Sequence, residues 1–111
     1  MNILHASSEV FPYSKTGGLA DATAALAKSQ AAAGHAVTLV TPLYRGIPEK
    51  FDGLKPLGRA RMLAKVWRLE PEPNLTVLFI DEPEWFDRDD LYGHTDDAER
   101  FIFFSKCVAH L

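Results

Sequence analysis

The sequence predicts an α/β protein built on a parallel sheet, and three features carry that expectation. The runs NILHAS, HAVTLVTP and NLTVLFID are short and apolar, as buried strands are. Between the first two lies LADATAALAKSQAAAG, whose alanine content favours helix. Strand, loop, helix and strand in that order make a βαβ unit with a right-handed crossover.

In chain order, NILHAS is read as a buried strand ending near Ala6. Residues 7–18 then form a long connection holding Pro12 and two glycines. Loops of that length inside compact domains are usually functional or disordered. Gly34 is expected to end the following helix as a left-handed cap. The helix's inward face reads as mostly alanine with Leu19 and Leu26, so it can lie close against a sheet. HAVTLVTP is the second buried strand, and LYRGIPEKFDG is a loop rich in turn residues. RARMLAKVWRLE fits helical and strand spacing about equally, and an extended hairpin is preferred. NLTVLFID is a third buried strand, and EPEWFDRDDLYGHTD an acidic loop carrying aromatics. DAERFIFFSKCVAHL is a helix with Ala98, Phe101, Ile102, Ser105, Val108 and Ala109 on one stripe. Asp96, with Glu99 three residues on, is placed to cap its start. The chain stops at Leu111 inside this apolar pattern with no closing signal, so a fragment of something longer is expected.

The 111 residues suffice for one domain with a real core. The formal net charge of -3 offers no basic field to gather nucleic acid. Cys107 is the only cysteine, which excludes an internal disulfide and points to a reducing, cytoplasmic compartment. No apolar run approaches the length of a membrane span, and the N-terminus does not read as a signal peptide.

The string SKTGGLAD, Ser14 to Asp21, is the leading candidate site. A helix N-terminus after a strand presents unpaired N–H groups and the positive end of the helix dipole. Gly17 and Gly18 have no side chain to hold a ligand off the backbone. Lys15 adds a positive charge at the rim. The arrangement suits a phosphate or diphosphate, although the glycine spacing is that of neither a P-loop nor a dinucleotide fingerprint. The alternative is that the glycines only let the chain turn and that Lys15 is a solvated charge. Asp21 in the first helical turn would repel a bound diphosphate, so it is expected to face a hydroxyl or Lys15.

SKTGGLAD, preceded by ILHASSEVFPY, resembles the N-terminus of bacterial glycogen synthases and plant starch synthases. GHAVTLVTPLYRGIP, FIDEPEWFDRDDLYG and DDAERFIFFSKCVAHL extend the resemblance along the whole chain. That family implies two Rossmann-like domains facing across a cleft, the glycosyltransferase B arrangement. Residues 1–111 would be the first part of the N-terminal domain, with the C-terminal domain absent. The implied activity moves glucose from ADP-glucose to the non-reducing end of an α-1,4-glucan with retention. By resemblance, Lys15, Gly17 and Gly18 contact the donor, Asp21 belongs to the same pocket, and Glu9 and Asp21 are the catalytic candidates. Glu9 maps to where donor glucose and acceptor glucan meet, and the alternative for it is a solvated loop carboxylate. Neither a metal nor a cofactor is implied. The rivals are another nucleotide-sugar transferase of the same fold and a non-catalytic phosphate-binding module.

Nine of the nineteen residues from Asp81 to Glu99 are acidic, but the EF-hand template fails, because Leu91 and Tyr92 stand where an acidic ligand and the turn glycine should be. In the family setting this is a cleft-edge loop. Trp85, Phe86 and Tyr92 would stack on sugars or pin the loop. Pinning is preferred for Phe86, and Tyr92 is kept as a substrate-binding candidate. His5, His35, His94 and His110 are scattered without metal-ligand spacing. His5 is expected to be buried and hydrogen-bonded, and Cys107 to be packing.

Overall fold

The computed structural model describes residues 1–61 and 63–111. Its elements are β1 (Asn2–Ala6), α1 (Gly18–Ala32), β2 (Ala36–Pro42), α2 (Ile47–Lys50), β3 (Lys55–Ala60), β4 (Ala64–Glu72), β5 (Leu75–Asp81), α3 (Pro83–Phe86) and α4 (Asp97–Ala109). One five-stranded sheet has the order β1-β2-β5-β4-β3. β1, β2 and β5 are parallel, as expected. β4 runs antiparallel to β5, and β3 antiparallel to β4. The sheet is therefore mixed, with four strands running one way and β4 the other. RARMLAKVWRLE does fall in an extended hairpin, with the expectation at Met62 outside the described residues.

Alternation sorts side chains to the two faces of the sheet. Leu39, paired with Val77 in the register, lies on the face covered by α1. His5 on the same face bonds Gln30 of α1 through Nε2 at 2.7 Å, half-buried rather than fully buried. Val40, Ile80, Phe86, Phe104 and Cys107 belong to the same continuous core. β1 is not the buried strand its apolar run suggests. Within residues 1–111 it stands at the edge of the sheet, and Leu4 on it is 52% exposed.

α1 buries Ala20, Ala24, Ala27 and Ala31, while Leu19 and Leu26 are about half exposed, contrary to the expectation that they face inward. The alanine row lets the helix backbone lie close to the sheet, and leucines on that row would lever it away. Gly34 caps the helix end with φ +97°, as expected.

α4 departs further from its pattern. Its buried residues are Arg100, Phe104 and Cys107, whereas Ala98, Ile102, Ser105 and Ala109 of the expected stripe are exposed. α3 and the loop after it choose the face. Phe103 meets Trp85 edge-on at 6.0 Å, and Phe86 stacks on Phe103 at 6.5 Å. The Arg100 guanidinium donates to the carbonyls of Trp85 (2.6 Å) and Leu91 (2.9 Å) and to Asp97 (2.8 Å). The expected Asp96–Glu99 cap is replaced. Asp96 pairs with Arg88 at 2.5 and 2.8 Å, and Asp97 accepts from the Gly93 and His94 amides.

Candidate functional site

The loops that follow β1, β2 and β5 meet at the carboxyl edge of the sheet, where open α/β sheets bind ligands. Ser8 is their junction. Its carbonyl accepts from Tyr44 Oη at 2.6 Å, and its hydroxyl bonds Tyr92 Oη at 2.6 Å. Burial pushes the Tyr44 phenol well up, so it stays a neutral donor.

Glu9 lies beneath this junction, 1% exposed. One carboxylate oxygen accepts from the Thr16, Gly17 and Ala20 amides at 3.4, 3.3 and 3.3 Å. The other accepts from Thr16 Oγ1 at 2.7 Å and from Tyr92 Oη at 2.8 Å. Gly17 and Ala20 bracket the first turn of α1, whose own N-cap is a glycine with no side chain to offer. Glu9 therefore supplies the cap from eleven residues upstream of Ala20. Burial pushes its carboxyl up, but the bonds from Thr16 and Tyr92 and from the Thr16 and Gly17 amides outweigh that and hold it below its ordinary value. The solvated-carboxylate alternative does not describe Glu9.

The loop above it is tied to itself and to α1. The Val10 amide donates to Ser14 Oγ, the Ser14 amide to the Val10 carbonyl, and the Phe11 amide to the Ala20 carbonyl. Lys15 stands outside this frame. Its Nζ meets Asp21 Oδ2 at 2.6 Å, with both side chains about half exposed. Asp21 thus faces Lys15.

Gly17 and Gly18 are exposed, and neither has positive φ. A methyl placed on either would meet nothing within 4 Å. Neither backbone conformation nor packing calls for glycine there, so its two turn-making explanations fall away. Gly18 and Leu19 carry the first-turn amides that Glu9 does not take.

Tyr92 sits in the same cluster. Its ring packs against Phe101 at 5.8 Å, and burial, with the bond to Glu9, pushes its phenol up, against the Ser8 contact that lowers it. It pins the acidic loop to Glu9 while remaining partly exposed. Phe86 is buried, as a pinning residue should be, and Cys107 is buried as packing. No group of three or more His, Cys, Asp or Glu able to hold a metal exists among the described residues, and no helix among them is long and apolar enough to cross a membrane. Sequence reasoning missed Ser8, Thr16 and Tyr44, since hydroxyls in a loop carry no periodicity. The Thr inside the KTGG string was the one available signal.

Sheet, crossover and glycine loop together define a Rossmann-like α/β protein whose candidate site lies between β1 and α1. The chain belongs to the starch synthase catalytic domain family, whose profile matches residues 2–111. It is 39% identical over 115 residues to a glycogen synthase of Acholeplasma laidlawii, covering 97% of this chain and 24% of that protein. It is 41% identical over 115 residues to a glycogen synthase of Bacillus subtilis, with the same two coverages. The catalytic domain of starch synthase IV from Arabidopsis thaliana, solved bound to ADP and acarbose, superposes with a TM-score of 0.77 at 30% identity, over 97% of this chain and 24% of that one. The chain thus spans about a quarter of the length of the relatives it matches.

Proposed function

We propose that residues 1–111 are the first part of the N-terminal domain of a two-domain glucosyltransferase. In this proposal the whole protein moves glucose from ADP-glucose to the non-reducing end of an α-1,4-glucan such as glycogen, with retention. Family membership supports the reaction class. The observation that carries the site is the pair of exposed glycines that neither conformation nor packing requires. Glycine there serves whatever approaches from outside, and Lys15 beside it makes a diphosphate the fitting ligand.

Each residue then has a physical task. Lys15 exchanges its exposed Asp21 partner for phosphate oxygens, and the Gly18 amide donates to the same group. Asp21 holds Lys15 in place until the donor arrives and shares the donor pocket afterwards. Glu9 acts as a positioning residue, its five hydrogen bonds fixing the loop at the geometry the diphosphate meets. Tyr92 couples that frame to the acidic loop and offers its exposed edge to the glucan. Charge fixed in advance against a departing diphosphate is usually the largest catalytic contribution. A cytoplasmic location accompanies this proposal, in keeping with Cys107 as a free buried thiol.

Gly18→Ala and Lys15→Ala in the complete protein are the test. Gly18→Ala should keep or slightly raise stability, by up to about 1 kcal/mol, because alanine suits a helix start better. Its KM for ADP-glucose should nonetheless rise. Lys15→Ala should lower kcat/KM for the donor about ten- to a hundredfold, the typical loss of one charge-assisted contact. Unchanged donor kinetics in both would end the proposal for this loop. Failure of the unmodified protein to incorporate labelled glucose into glycogen would end it for the reaction.

A further inference from the structure

Between the loop after β2 and the β3–β4 hairpin lies a cavity of about 380 Å³, none of whose walls belongs to the donor loop. Leu43, Phe51, Asp52, Gly53, Trp67 and Asp81 are among its walls. Volumes of roughly 300–1,000 Å³ are those of small-ligand sites. Trp67 and Asp81 reach it from neighbouring strands on one face of the sheet, and the Trp67 indole N–H donates to Asp81 Oδ2 at 2.9 Å. That bond fixes the half-buried indole as a rigid wall. Asp52 stands exposed on the α2–β3 connection. Gly53 has φ +92°, and a methyl on it would come within 3.2 Å of Leu69, so the connection is held tight at this point.

The chemistry of the walls selects the ligand. They contain no Lys, Arg or His, so a phosphate or sugar nucleotide finds no counter-charge. A metal would need a group of three or more acidic or imidazole ligands, and none exists among the described residues. What remains is an aromatic plate beside two carboxylates. That combination suits a neutral pyranose, whose C–H face packs on indole while its hydroxyls donate to carboxylate oxygens. The cavity also adjoins a second one along the loop after β2. Leu43, Pro48 and Asp81 line it and the adjoining cavity of about 230 Å³, which Tyr44 also lines. Tyr44 in turn donates to the carbonyl of Ser8, the junction above Glu9.

We infer that the Trp67–Asp52–Asp81 cavity is a glucan-binding subsite that holds the acceptor chain away from its reacting end. The inference rests on the proposed glucan acceptor but assigns residues outside the donor loop. Its test measures maltoheptaose and ADP binding by calorimetry, with KM values for glycogen and ADP-glucose, on the complete protein and on Asp52→Ala and Trp67→Leu. Each variant should weaken maltoheptaose about three- to tenfold and raise the KM for glycogen, leaving ADP affinity and the donor KM unchanged. If Trp67→Leu also loses ADP binding, its fold has changed, and the exposed Asp52→Ala variant decides. Unaltered maltoheptaose affinity in Asp52→Ala, or no maltoheptaose binding by an unmodified protein that binds ADP, overturns the subsite and leaves the donor loop standing. Maltoheptaose binding that Asp52→Ala weakens in a protein that does not bind ADP would support the subsite and overturn the proposed transferase.

Discussion

Helix α1 buries four alanines and leaves Leu19 and Leu26 half exposed, whereas α4 buries Arg100 with Phe104 and Cys107 and leaves Ile102 exposed. In both helices some of the larger apolar side chains point outward, for different reasons. α1 lies against the flat face of a sheet, where the width of the side chain sets how close the backbone comes. α4 lies against α3 and an irregular loop, whose carbonyls need donors that apolar side chains cannot supply. Arg100 provides them, and the rings of Phe86 and Phe101 flank its guanidinium at 5.7 and 5.3 Å. The two N-termini differ in the same way. α1 takes its cap from Glu9 in the preceding loop, while the carboxylates at the head of α4 bind Arg88, Arg100 and the amides before the helix. Hydrophobicity alone ranks neither face, because the surface opposite each helix decides what can be buried.

The sharpest way to break this comparison is Arg100→Ala. It would leave two loop carbonyls without their donor and take one of three donors from Asp97, whose side chain is about a third exposed, and should cost about 3–5 kcal/mol in the complete protein. The midpoint and slope of urea unfolding measure it. A loss below 1 kcal/mol would mean that α4 is held by its aromatic contacts alone.

Ala27→Leu tests the other helix by overpacking. Ala27 is fully buried in the alanine row, so the added bulk should destabilise by about 2 kcal/mol. Stability kept or raised would show slack between α1 and the sheet, contrary to the close approach argued above. Its control is Leu26→Ala, one residue away and half exposed, for which a change within about 0.5 kcal/mol is expected despite the loss of a large apolar side chain.

Glu9→Gln probes the cap of α1 and should cost about 1–2 kcal/mol near neutral pH, because an amide nitrogen cannot accept from the donors now shared by two oxygens. The pH dependence has a definite sign. The folded carboxyl titrates below its ordinary value of 4.5, so its contribution is fully present above that pH. It fades as the pH falls through the lower folded value. Melting temperatures from pH 7 to 3 should therefore converge for the two proteins in acid. Parallel curves would show that Glu9 is not the titrating group that ties the loop to α1. Donor binding and turnover should fall together in this variant, as befits a residue acting through the loop.

Much of the architecture was written in local sequence. Three short apolar runs became β1, β2 and β5, the alanine-rich stretch became α1, and Gly34 took the left-handed turn its position asks for. Periods and caps depend on neighbours within a few residues, so such features survive in one dimension. The KTGG string likewise marked the loop at the head of α1, and of the two partners expected for Asp21, a hydroxyl or Lys15, the structure takes Lys15. What the chain alone does not encode legibly is which partner each surface meets. The position of Glu9 under its own loop, the meeting of Ser8, Tyr44 and Tyr92, the buried guanidinium of Arg100 and the Trp67–Asp81 wall all join residues of different elements and loops. Their energies come from desolvated polar groups finding donors across the fold, and only the tertiary structure decides which groups are brought within reach.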